Sequence, residues 1–222
     1  MDWLTPIDLY CERAGPGLWA EPLNAFTNAA FPLAALWGWQ ALRRYGGAPG
    51  FGLAVVMAAL IGVGSFLFHV YANAWSEWAD VVPIWGFVAL YVGLSTYHLG
   101  GAPARAAWIA GSITAVAATA TLTLTSATGA ETGPPGLLNG SGQYAPALIA
   151  LLALAGLMAW RGHPARGWIL AAALAFTVSL VARTLDLHLC ADIPAGTHFI
   201  WHLMNGWMVG LLLQALIRHR RA

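Results

Sequence analysis

Residues 198–217 read HFIWHLMNGWMVGLLLQALI, and Arg218-His219-Arg220-Arg221 follow at once. Such a run, about 20 residues at a rise of about 1.5 Å each, spans the roughly 30 Å hydrocarbon core of a bilayer as one helix. Its basic end marks the side retained in the cytoplasm. The same reading, carried outward along the chain, finds six more runs: Leu23 to Leu42, Phe51 to Val70, Val81 to His98, Ala106 to Ser126, Gly142 to Trp160 and Gly167 to Leu187. The expected fold is an all-α membrane protein, a seven-transmembrane-helix bundle. Composition agrees, since 59% of the 222 residues are hydrophobic and 9% are charged, against roughly a quarter charged in soluble proteins. Ten Arg, no Lys and nine acids leave a net charge of +1, so no basic field exists to hold nucleic acid.

Charge placement predicts the orientation. Arg43, Arg44, Arg105, Arg161, Arg166, Arg218, Arg220 and Arg221, eight of the ten Arg, follow alternate helices on one side. The acids gather on the other: Asp2, Asp8, Glu12, Glu21, Glu77, Asp80, Glu131, Asp186 and Asp192. The positive-inside rule then puts the C-terminus in the cytoplasm and, with seven crossings, the N-terminus outside. Residues 1–22 form an acidic extracytoplasmic segment, 23–217 the seven-helix domain and 218–222 a basic cytoplasmic tail. The acidic start is the reverse of a signal peptide's positive region, so it reads as mature protein.

Ionisable groups inside a bilayer are costly and mark functional sites. His69 ends the second run, with Ser65 one turn below it on the same face, and His198 and His202 open the seventh. Imidazoles four residues apart project from one helix face about 6 Å apart along the axis, a spacing that suits two ligands of one metal ion. The topology brings these three His and Asp80 to one membrane face. Three neutral imidazoles with an open fourth position make a catalytic zinc site, at which Asp80 would act on the proton of a nucleophilic water and Ser65 would hydrogen-bond an oxyanion. A His pair at a membrane interface also serves simply to bond headgroups or carbonyls. His98, His163 and His219 lie beside Arg-bearing loops, where interface polarity accounts for them; His188 is outer-facing and open to either role. Arg183 is expected to pair with Asp186 one turn on.

The set Glu21-x-x-Asn24-x-x-Thr27-Asn28, Gly64-Ser65-x-x-x-His69, Asp80-x-x-Pro83 and His198-x-x-x-His202 resembles the alkaline ceramidases, seven-helix zinc amidases of a wider superfamily with the adiponectin-receptor-like proteins. The likeness runs from about Asp8 to Gly206. It implies zinc on His69, His198 and His202, Ser65 and Asp80 as catalytic residues, and hydrolysis of a ceramide-like membrane lipid to a lipid amine and a fatty acid. It also implies calcium on Asp8, Glu12 and Glu21, although Ala14 stands where an Asn is expected. The likeness further points to a disulfide between Cys11 and Cys190, which the topology places on the same, oxidising side; two separate thiols are the alternative. The absence of Lys and the richness in Ala, Gly and Trp suggest a bacterial inner-membrane protein. No protein partner is expected. Other readings are a receptor-like, lipid-binding protein with structural zinc, and a transporter, which would need polar groups at mid-bilayer.

Overall fold

The computed structural model describes residues 2–128 and 138–220; Glu131, assigned above to an outer loop, lies outside them. Among the described residues the chain is helical, with one isolated β-bridge between Pro6 and Asn73. The helices are α1 (Pro22–Thr27), α2 (Ala30–Tyr45), α3 (Phe51–Tyr71), α4 (Ala74–His98), α5 (Ala104–Thr128), α6 (Ala145–Trp160), α7 (Arg166–Leu185) and α8 (His198–Arg218), with short 3-10 turns at Ser141–Tyr144 and Asp186–His188. Each expected run is thus helical. Five stretches, α3, α4, Ser141–Trp160, Arg166–His188 and α8, are long and apolar enough to cross a membrane.

The first run departs from expectation because Pro32 has no N–H to give the Asn28 carbonyl. Phe31 N–H reaches that carbonyl instead, at 3.1 Å, and the helix breaks at Asn28-Ala29 into α1 and a 16-residue α2. The third run starts seven residues earlier than expected. Asn73 caps it, its side chain accepting from Ser76 N–H (3.2 Å) while the Ser76 hydroxyl accepts from Asn73 N–H (3.1 Å), which satisfies two otherwise orphaned donors. Asp80 therefore sits in the second turn of α4, not at its mouth.

α8 lies at the centre, packed on α7 and α2, while α3 joins α2 to α4. Two close approaches fix this arrangement. Gly206 of α8 meets Ala30 so tightly that a Cβ there would stand 2.5 Å from the Ala30 methyl. Gly64 of α3 lies against the Ala79 carbonyl of α4, the acceptor left without an intrahelical partner because Pro83, four residues on, cannot donate. Outer faces carry exposed Trp108, Ile149 and Leu174, side chains that lipid accommodates and water does not.

Candidate metal centre

Two helices bring three imidazoles together at one end of the bundle. His69 comes from the last turn of α3, and His198 and His202 from the first two turns of α8; each is 1% exposed. One nitrogen from each lies within 4.8 Å of the others, and this is the only group of three His, Cys, Asp or Glu so arranged among the described residues. The sequence expectation of a three-His cluster able to hold a metal ion is met.

The hydrogen bonds around the rings fix their protons. His69 Nδ1 lies 2.6 Å from a Glu21 carboxylate oxygen, which can only accept when ionised, so Nδ1 carries the hydrogen. His202 Nδ1 lies 3.0 Å from Thr27 Oγ1, whose single proton is directed to the carbonyls of Leu23 (2.8 Å) and Asn24 (3.0 Å). With the Thr27 proton on one of those carbonyls, Thr27 accepts from His202, and both rings then turn a bare Nε2 inward. Those two Nε2 atoms face each other at 3.1 Å. Two lone pairs at that distance repel unless a cation lies between or beside them, and buried imidazoles held by acceptors on their outer nitrogens are the usual surroundings of a metal ion.

The third imidazole is held differently. His198 stacks on Tyr10, with ring centroids 3.6 Å apart and planes 16° from parallel. Its main-chain N–H donates to Asp186 Oδ1 at 2.9 Å, beside Thr197 N–H at 2.6 Å, while the other Asp186 oxygen accepts from Cys11 N–H at 3.1 Å. Asp186 is thus the distant N-terminal cap of α8. It makes no ion pair with Arg183, contrary to expectation, because both its oxygens face the backbone of the α7–α8 connection and the N-terminal segment. Arg183 turns the other way, donating to Tyr10 Oη at 2.8 Å with its guanidinium 5.3–5.7 Å from the rings of Tyr10, Tyr144 and Trp201. Burial pushes the Tyr10 phenol upward, so it stays neutral.

Beside the His cluster is a polar cavity of about 30 Å³, lined by Ser65, Asp80, Arg183, His198 and His202 among others, a size that admits about one water. Ser65 and Asp80 line it together. Asp80 Oδ1, Arg183 Nε and His198 Nδ1 are buried with no protein partner, a concentration of unsatisfied groups that native interiors otherwise avoid. An apolar chamber of about 50 Å³ adjoins it, sharing Ile84, Tyr144 and Trp201 as walls.

Cys11 and Cys190 form a disulfide, with Cα atoms 5.2 Å apart. The carboxylates expected to share calcium do not converge. Glu12 commits both oxygens to the start of α1, accepting from Leu23 N–H (2.6 Å) and Asn24 N–H (2.8 Å); partial burial raises its pKa and these bonds oppose the rise. Glu21 faces His69 and Arg13, and Asp8 is exposed. With one carboxylate capping a helix and another held by a guanidinium, the residues present do not fit a calcium ion. His188 is exposed, 3.2 Å from the Thr184 carbonyl, away from the cluster. Sequence reasoning named Tyr10 only for a main-chain carbonyl toward calcium, and did not single out the Tyr10 ring, Arg13 or the capping role of Asp186. One signal was available: Arg13 and Arg183 are the two arginines outside the group of eight, and both end at this site. The sequence matches no family model and no curated protein.

Proposed function

We propose that the chain is an intramembrane zinc-dependent hydrolase that cleaves the amide bond of a ceramide-like N-acyl lipid, yielding a fatty acid and a sphingoid base or other lipid amine. The observation that carries this reading is the facing pair of Nε2 atoms of His69 and His202 at 3.1 Å, completed by His198 and adjoined by Ser65 and Asp80. Three imidazoles and an open side are the donor set of catalytic zinc. The ion, when bound, supplies Lewis acidity toward a carbonyl and lowers the pKa of water.

The protein's own groups account for the rest. The apolar chamber of about 50 Å³ takes the few methylene groups next to the carbonyl and sets that carbonyl beside the polar cavity. The partnerless Asp80 Oδ1 accepts the proton of the attacking water and later returns it to the departing amine, without which the C–N bond does not break. The Ser65 hydroxyl donates to the developing oxyanion. Tyr10 roofs the site and excludes bulk water.

In this reading all seven runs cross a bacterial inner membrane, α1 and α2 together forming the first. The N-terminus lies outside, as the eight-Arg bias and the disulfide both favour, and a C-terminal reporter active only outside the cytoplasm would overturn it. Activity is tested by mass spectrometry of lipids released by purified protein with and without a zinc chelator. Asp80→Asn should keep its metal and lose turnover, whereas His69→Ala, His198→Ala or His202→Ala should lose both. A metal-loaded wild type that binds lipid but releases no fatty acid would favour the receptor-like reading.

A further inference from the structure

Arg13 is an ionisable group that the proposed chemistry does not use, and its surroundings are specific. Its side chain is 5% exposed. Nε donates to Glu21 Oε1 at 2.5 Å, one terminal nitrogen donates to the His69 carbonyl at 3.1 Å, and the other reaches the Gly15 carbonyl at 3.3 Å. The His69 carbonyl belongs to the last turn of α3, where carbonyls lack intrahelical partners and the helix end favours a cation. Glu21 Oε2, the oxygen Arg13 leaves free, accepts from His69 Nδ1 at 2.6 Å and from the Asn24 side chain at 3.2 Å. One guanidinium therefore holds the main chain of His69 directly and its ring through Glu21.

We propose that Arg13 is the resident cation of the N-terminal segment, standing against Glu21 where a divalent ion would otherwise sit, and that it is a positioning residue for His69. A fork of fixed N–H directions meets a carboxylate and a carbonyl at once, a task to which a guanidinium is suited and a single ammonium is not. The segment therefore needs no calcium. The positioning half of the proposal rests on the metal reading of the three His; the calcium half does not.

The test uses full-length protein in detergent as wild type, Arg13→Lys, Arg13→Gln, Glu21→Gln and the Arg13→Gln/Glu21→Gln double variant. Zinc affinity is measured by competition with a chromophoric chelator, and melting is followed with and without millimolar calcium. Arg13→Gln and Glu21→Gln should each weaken zinc by about 10- to 100-fold, as loss of a group orienting a ligand does. The double variant should be little worse than the poorer single, because the two act in one chain. Arg13→Lys should fall between wild type and Arg13→Gln. Calcium should leave the wild-type melting temperature unchanged. Arg13→Gln with lowered stability but wild-type zinc affinity would make Arg13 a mere strut, and a calcium-dependent rise in wild-type melting would show that the site still takes a divalent ion; either result overturns the proposal. If Arg13→Gln does not fold, wild-type zinc affinity in Arg13→Lys and Glu21→Gln overturns the positioning role. A wild type that binds no zinc defeats that role together with the metal reading, while the calcium melts still judge the cation.

Discussion

Replacing Gly64 by alanine puts a methyl group into the place where α3 and α4 touch. Its carbon would stand 2.7 Å from the Ala79 carbonyl carbon and 3.1 Å from the Asp80 Cα, where ordinary contact begins near 3.4 Å. The obstructing atoms are backbone, the Ala79 carbonyl oxygen nearest of all, so no side chain can swing away, and the helices must part by more than about 0.7 Å, the difference between 3.4 and 2.7 Å for the carbonyl carbon alone. Overpacking of this kind costs about 1–3 kcal/mol. The displacement falls on Asp80 and on Ser65, the residue after Gly64, and a shift of about 1 Å can reduce turnover by about 100-fold. His69 is one turn away on α3 and keeps its bonds to Glu21 and Arg13, so metal content should survive. Gly156 of α6 is the control, because nothing lies within 4 Å of a Cβ there, and alanine in an open helical position stabilises by about 0.5–1 kcal/mol. Denaturation of both variants, with metal analysis and lipid hydrolysis, separates the effects. If Gly64→Ala matches Gly156→Ala in stability and wild type in turnover, the close approach at Pro83 does not set the positions of Ser65 and Asp80.

Two further expectations follow from the outer bonds of the site. Thr27→Val removes the acceptor that holds the His202 Nδ1 hydrogen and should weaken zinc by about 10-fold with little change in shape; an unchanged affinity in the chelator competition would contradict the assigned ring orientation. In unreduced, denatured protein neither Cys11 nor Cys190 should react with an alkylating reagent. Because the bond spans 179 positions, its reduction should cost up to about 5 kcal/mol, measured as the shift in denaturation midpoint.

The helical runs and the His cluster were readable because each leaves a local trace: an unbroken apolar stretch, a spacing of four. Pro32 and Pro83 were also visible, yet their effects depend on which carbonyl each leaves free and what packs there, and the second effect requires Gly64 from another helix. The acids were harder. Asp8, Glu12 and Glu21 look alike in sequence, but one is exposed, one caps α1 and one orients His69. Asp186 stands one turn from Arg183, and helical spacing favoured a pair, until the chain left the α-helix at Leu185 and turned the carboxylate toward Thr197 and His198. What escaped the sequence was the partner chosen by each buried charge, which is set by tertiary contacts among residues as many as 175 positions apart.

The Tyr10–His198 stack and the Cys11–Cys190 bond have a consequence for biogenesis. Tyr10 and His69 are translated well before the other two imidazoles, which come from α8, so the growing chain has no complete three-His cluster until α8 is made. In the zinc reading proposed above, an ion would be captured only once α8 has packed, and the Cys11–Cys190 bond would then tie the N-terminal segment to the α7–α8 connection. A ribosome stalled before residue 198 should hold a membrane-embedded chain that retains His69 but fails to capture zinc.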